Sequence, residues 1–421
     1  MGNVTILVGA QWGDEGKGKW IDIMADSADI VTRYQGGNNA GHTLYVDGQK
    51  VVLHQIPSGI FHPGKISALS TGVVVNPHQL VEEMRKVSPF VKLTPERLWL
   101  SARAHVISPW HIHLDGKKEA ESAQPIGTTK RGIGPTYAEK ANRTGLRLGD
   151  YAVRARRERW YEAMKQSVQG FGTHQEVYRE DWAQFDEAAE QLAPFICDAE
   201  LRVRAAVESG RKVLLEGAQG VLLDINHGTY PYVTSSETAA GGAFASLGFS
   251  PKRIDKIYGV AKAYVTRVGE GAFPTELKCE TGKLIATRGK EFGATTGRPR
   301  RCGWLDAVAL RYSAQISGYD GIILNKMDIL TDLPEVKVCV AYEHPELGRI
   351  EDFPWDHDVL AACTPVYKTF AGWKEAMPTT GRMADLPANA RKYVEGLEEI
   401  LGYPISMVGT GVNRQDALFR D

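Results

Sequence analysis

The segment VTILVGAQWGDEGKGKWIDIM, residues 4–24, does most to limit what this chain can fold into. A short apolar run, partly β-branched, ends in glycine and passes through a glycine-rich stretch into a sequence of helical character. So apolar a run predicts a strand buried on both faces, with a tight turn after it. Strand, glycine loop and helix in that order are how α/β proteins aim backbone N–H groups at phosphate. The loop only half fits the phosphate-binding pattern of Gly, four residues, then Gly-Lys and a hydroxyl residue. Gly13 to Gly18-Lys19 keeps that frame, yet Trp20 stands where the magnesium-binding hydroxyl belongs. Asp14 and Glu15 add negative charge to a loop meant to hold phosphate. It is either a spoiled nucleotide loop or one built for different chemistry.

Further strand-like runs follow: ADIVTRY, KVVLHQI, SALSTGVVV, KVLLEGA, DKIYGVAKAYVTRV, DGIILNKMDIL and VKVCVAY. Helical or mixed segments separate most of them, which predicts an α/β architecture with a large, mostly parallel sheet. Residues 151–209 differ, being highly charged with apolar residues every three to four positions, and read as an inserted helical subdomain. At 421 residues the chain exceeds what one core usually serves. Its 50 Lys and Arg nearly cancel 51 Asp and Glu, so no whole-chain field recruits nucleic acid or an anionic membrane. Cys197, Cys279, Cys302, Cys339 and Cys363 are scattered without metal spacing, which fits a reduced cytoplasmic setting. No signal peptide and no membrane-spanning apolar run are expected.

Five more clusters carry chemistry. YQGGNNAGHT (34–43) holds three Gly, two Asn and a His, suited to close backbone approach with adaptable donors. A glycine-rich turn with an incidental histidine would read the same way. GTTKRGIGPTYAEKANR (127–143) combines paired threonines with basic residues, as a phosphate anchor or a basic surface loop would. In LLEGAQGVLLDINHGTYPYVTSS (214–236) an apolar strand delivers Gln219, whose amide can read a base edge. FGATTGRPRRCGWLD (292–306) gathers forked cations fit for carboxylate or phosphate. IILNKMD (322–328) ends a strand with Lys326 and Asp328, and a carboxylate there can accept from both N1–H and the exocyclic amine of guanine. These residues point to a nucleotide enzyme with at least two anionic ligands and leave the reaction open.

In the order they occur, QWGDEGKGK, GGNNAGHT, GTTKRGIGP, EGAQGVLLDINHGTYPYVTSS, EFGATTGRPRRCGWLD and NKMD resemble the adenylosuccinate synthetase family from residue 4 to about 414. The resemblance implies a central, mostly parallel sheet distantly related to P-loop nucleotide hydrolases, with a helical insertion and a C-terminal α+β portion. It also implies one catalytic unit over residues 1–421, with approximate parts 1–100 plus 210–270, 101–209 and 271–421. The implied reaction is a cytoplasmic GTP-driven ligation of IMP and L-aspartate, assisted by Mg²⁺, that commits IMP to AMP. The family's functional unit is a homodimer.

By matching position, Asp14 is expected as general base and metal ligand, His42 as general acid and Lys17 as phosphoryl stabiliser. The Gly41 carbonyl is the other expected magnesium ligand. Asn39, Ala40, Gly41, Thr129, Gln219, Thr234 and Arg298 are expected at IMP, joined by Arg143 from the partner subunit. Ala294, Thr295, Thr296, Gly297, Arg298 and Arg300 are expected around aspartate. For GTP the match gives Gly13, Asp14, Glu15, Gly16, Lys17 and Gly18, then Gly41, His42, Thr43 and Arg300. Lys326, Met327, Asp328, Gly409, Thr410 and Gly411 complete that set.

Three positions depart from the family pattern. Lys130 replaces Gly beside the expected 5′-phosphate anchor, Glu237 replaces Asn or Asp, and Asn325 replaces Thr and brings the guanine motif nearer that of GTPases. Two other readings compete. A phage-type relative that joins aspartate to dGMP typically lacks the first-loop aspartate, so Asp14 argues against it. A GTP-binding switch has no use for the 292–301 loop or for Trp20.

Overall fold

The computed structural model describes residues 2–46, 48–293 and 297–420, and divides into two compact units. One runs up to Thr5 and includes Met24–Ala218 and Gly242–Asp255; the other comprises Ile6–Ile23, Gln219–Gly241 and the chain from Lys256 onward.

The first unit is built on five parallel strands in the order Val213–Glu216, Ile30–Arg33, Ile66–Leu69, Leu98–Ser101 and Ile196–Cys197. Three of them, Val213–Glu216, Ile30–Arg33 and Leu98–Ser101, are buried at every residue, as covered parallel strands are. SALSTGVVV yields two strands, Ile66–Leu69 and Val74–Val75, because Val73 N–H turns back to the Ser70 carbonyl. From Pro109 to Glu208 the described chain is mainly helical. The aromatic residues of that stretch form its core: Trp160, Phe171 and Trp182 meet edge to face at 5.5–5.7 Å. Each such pair adds about 1 kcal/mol beyond the area it buries.

In the second unit the strands Val4–Gly9, Ile254–Lys262, Gly321–Asn325, Ile405–Gly409, Ala417–Phe419 and Thr380–Arg382 are neighbours in that order. Gly321–Asn325 is fully buried and parallel to both Ile254–Lys262 and Ile405–Gly409. A second sheet pairs Tyr264–Arg267 with Arg301–Asp306, which runs alongside Glu335–His344. DKIYGVAKAYVTRV therefore serves two sheets, and the break falls at Ala263, whose N–H donates to the Asn325 carbonyl. Lys262 and Asn325 end neighbouring parallel strands, the edge where open α/β sheets take ligands.

Candidate active site

In the second unit, the strand Val4–Gly9 feeds a loop whose acid is largely internal. Glu15 is fully buried and accepts N–H bonds from Gln11 (3.0 Å) and Gly13 (2.8 Å). Lys17 Nζ lies 2.7 Å from the other Glu15 oxygen and donates to the Gln219 carbonyl at 2.5 Å. The carboxylate thus shapes the loop and carries its own counter-charge. Gly9 is required because a Cβ there would collide with the Gln219 carbonyl and Glu15. Gly16 leaves room for the Asn325 amide, which donates to the Glu15 carbonyl at 2.8 Å.

Asp14 is handled differently. It takes φ 61, a conformation rare outside glycine, and its side chain keeps 31% exposure. One oxygen accepts from Arg300 Nε at 2.7 Å. Lys19, the lysine of the phosphate-loop frame, donates instead to the carbonyls of Gly411 (3.0 Å) and Asp416 (2.6 Å). Burial lowers its pKa to about 8. Trp20 is fully buried in the helix Lys17–Ala25, so the missing hydroxyl has become core.

Arg300 also reaches Glu291 at 2.5 Å. Lys326, in the left-handed conformation, donates to Glu291 at 2.6 Å and to the Gly289 carbonyl at 3.0 Å. Met327 is buried beside it, and burial raises the Asp328 carboxyl, one of whose oxygens is buried without a partner. Gly409 ends the strand Ile405–Gly409 and packs against the Asn325 side chain; Thr410 donates to the Pro378 carbonyl at 2.7 Å. The cluster 13–18, 326–328 and 409–411 is thus assembled at these loops.

Gln219 has φ 56, and both of its amide heteroatoms are buried without a hydrogen-bond partner. Buried polar groups are rarely left so. Thr234 lies in a loop anchored by Asp224, whose carboxylate accepts from Thr238 (2.6 Å), Ala239 (3.0 Å) and Asn226 (2.8 Å). Glu237 in that loop is exposed. Gly297 takes φ 65 and Arg298 is half-buried, while Arg301 is spent on a two-pronged pair with Glu276. Ala294, Thr295 and Thr296 lie outside the described residues.

In the first unit, His42 opens the strand His42–Val46, and its Nδ1 pairs with Glu216 at the end of Val213–Glu216. Glu216 is fully buried and also accepts from Ser58 N–H (2.8 Å) and Ser58 Oγ (2.9 Å). Burial would push its pKa up, but the His42 imidazole and the Arg33 guanidinium more than offset that and hold it below the usual range. Asn39 caps its own turn by accepting from Gly37 N–H at 3.1 Å, and the Ala40 carbonyl meets His54 Nδ1 at 2.7 Å. Gly41 and Thr43 flank His42 and are half-buried. Arg131 Nη1 donates to the Asn38 carbonyl at 2.8 Å. Thr129 is half-buried, and Lys130 is exposed at φ 54. Arg143 is exposed and ends the helix Ile133–Asn142 at φ 64.

The sequence marks Glu216 and Asp224 only as acidic residues closing an apolar run, VLLE and LLD, and carries no such mark for Glu291. Among the described residues no group of three or more His, Cys, Asp or Glu could hold a metal ion.

The family model for adenylosuccinate synthetase matches residues 6–418. The chain belongs to the adenylosuccinate synthetase family. An adenylosuccinate synthetase of Desulforudis audaxviator is 48% identical over 99% of this chain and 98% of its own. One from Gloeobacter violaceus is 46% identical over 99% and 96%. The fully ligated adenylosuccinate synthetase of Plasmodium falciparum superposes with a TM-score of 0.94 at 38% identity, covering both chains completely. The fold is accordingly α/β on a large, mostly parallel sheet. The succinoaminodeoxyadenylate synthetase of cyanophage S-2L, solved with dGMP and dATP, has a TM-score of 0.64 at 18% identity over 100% and 95% of the two chains. That likeness shows the fold alone. The chain is a C–N bond-forming ligase of purine nucleotide synthesis, and the substrates of its family are IMP, L-aspartate and GTP. No helix of the described residues is long and apolar enough to cross a membrane.

Proposed function

We propose that Asp14, His42 and Lys17 carry the reaction in which IMP and L-aspartate are joined. The 6-oxygen of IMP is a poor leaving group, so it is phosphorylated before the aspartate amine displaces it. Taking the N1 proton makes that oxygen a nucleophile, and Asp14 is the base. The observation that carries this reading is the division of labour in the loop. Glu15 is fully buried and consumed by two amides and Lys17, whereas Asp14 pairs with Arg300 and keeps 31% exposure.

Lys17 uses two of its three ammonium donors on Glu15 and Gln219 and keeps one for the transferring phosphoryl group. With the Glu216 carboxylate beside Nδ1 offsetting positive charge on the ring, His42 can hold a proton on Nε2 and give it to the 6-oxygen as that oxygen departs from C6 with the phosphoryl group, as phosphate. The carboxylate of Asp14 and the carbonyl of Gly41 are hard oxygen donors, the kind Mg²⁺ takes from a protein while phosphates supply others. When bound there, Mg²⁺ neutralises phosphate charge.

The unpaired Gln219 amide supports a role at the purine, with Asn39, Ala40, Gly41, Thr129, Thr234 and Arg298 completing the IMP site. The orphan oxygen of Asp328 supports guanine recognition, with Lys326, Met327, Gly409, Thr410 and Gly411 around it. Arg300, Arg298 and Gly297 take aspartate. Arg143 reaches IMP from the partner subunit of a homodimer, and the enzyme works in the cytoplasm.

Asp14→Ala is expected to lower turnover by about 10³-fold while calorimetry still shows IMP and GTP binding. Near-normal activity in that variant would remove Asp14 from the base role. Wild-type phosphate release should require IMP and aspartate together, and dGMP should not replace IMP.

A further inference from the structure

Glu291 touches none of the proposed substrate groups, yet three cations converge on its buried carboxylate. One oxygen receives Arg300 Nη1 at 2.5 Å and Lys262 Nζ at 3.0 Å. The other receives Lys326 Nζ at 2.6 Å and the Tyr264 hydroxyl. The main chain adds a fifth link, since Arg300 N–H donates to the Glu291 carbonyl at 2.9 Å. Arg300 and Lys326 are the cations assigned above to aspartate and to guanine. They come from separate stretches of chain, and Glu291 pairs with both.

We propose that Glu291 is a positioning residue that sets Arg300 and Lys326 together, so that one buried carboxylate tunes recognition of both aspartate and GTP. The inference rests on the ligand assignments made above for those two cations. A rotamer-rich arginine and lysine lose freedom when they bind a ligand, and a partner that fixes them beforehand removes that cost. The carboxylate's geometry suits this task. Its two oxygens divide the cations, and the arginine uses Nη1 on Glu291 while its Nε serves Asp14. Arg300 can therefore leave Asp14 without losing its anchor. A bland role is also open to the carboxylate, namely neutralising Lys262, which is fully buried and bonded to Thr266 Oγ1 at 2.6 Å. The two roles part in experiment.

Steady-state kinetics of Glu291→Gln test the proposal. The KM values for GTP and for aspartate should each rise about tenfold, the loss typical of a charge-assisted bond, while that for IMP stays within about twofold. Unchanged KM values, or an equal rise for all three substrates, overturn it. Lys262→Met should leave the KM values for GTP and aspartate within about twofold of wild type. If it reproduces the Glu291→Gln pattern, the carboxylate serves Lys262 and the proposal fails. Should Glu291→Gln not fold, the double variant Glu291→Gln/Lys262→Met removes the stranded buried cation and must show the same split. Lys326→Ala and Arg300→Ala separate the two levels of inference. If neither raises the KM for GTP or aspartate, the ligand assignments are wrong. If both do and Glu291→Gln does not, only the positioning role is wrong.

Discussion

A carboxylate in a phosphate loop repels its ligand only when nothing answers its charge. Glu15 is answered by two amides and Lys17, and Asp14 by Arg300. The same contrast recurs at Glu83. Burial pushes its carboxyl up from 4.5 to about 7, although the N–H groups of His54, Gln55 and Ile56 pull it back. A carboxyl raised on folding binds more protons folded than unfolded between those two values. Its contribution is therefore complete below the unfolded pKa and is lost as pH rises through about 7. Unfolding free energy should fall by up to roughly 3 kcal/mol across that window from this group. Glu83→Gln should flatten the decline, measured by urea unfolding at pH 5 and pH 8. An unaltered pH dependence in the variant would mean Glu83 is ionised throughout. The turn that Glu83 grips includes His54, whose Nδ1 meets the Ala40 carbonyl in the 34–43 loop.

Elements place these residues by where strands end. Apolar runs in the sequence predict Val4–Gly9, Val213–Glu216 and Gly321–Asn325, because strands covered on both faces leave continuous hydrophobic runs. The word following each run puts Asp14, Gln219 and Lys326 in the loop after its strand, and that placement was legible. Their supports were not. Glu216 and Glu291 act through pairs made 174 and 9 or more residues away, and a single sequence carries no sign of such spacing. Periodicity likewise could not tell that DKIYGVAKAYVTRV splits at Ala263, since both halves are apolar and the break is made by a bond from another strand. Asn76 precedes Pro77 and accepts from Gln79 N–H at 3.0 Å, capping the helix Pro77–Val87. Asn76→Ala should cost about 1 kcal/mol, because only that side-chain bond is lost. The Gln55 bonds to Asn76 run through its main chain and survive. A drop well beyond this in urea unfolding would assign the Asn76 side chain a wider packing role.

At the scale of the whole molecule the open question is how many chains make one active site. Arg143 is exposed at the end of the helix Ile133–Asn142, where a left-handed residue turns the chain away. If it serves the partner's IMP, each site needs Asp14 from one chain and Arg143 from the other. Asp14→Ala and Arg143→Ala homodimers are then both inactive. Random mixing of equal amounts makes about half of the dimers mixed, and each mixed dimer has one site with both residues intact. About a quarter of all sites should therefore recover, while either variant alone stays silent. The recovery must develop on the timescale of subunit exchange and follow the fraction of mixed dimer seen by mass spectrometry. No recovery despite mixed dimers would place Arg143 in the site of its own chain. Activity in the Arg143→Ala homodimer would remove it from IMP binding altogether.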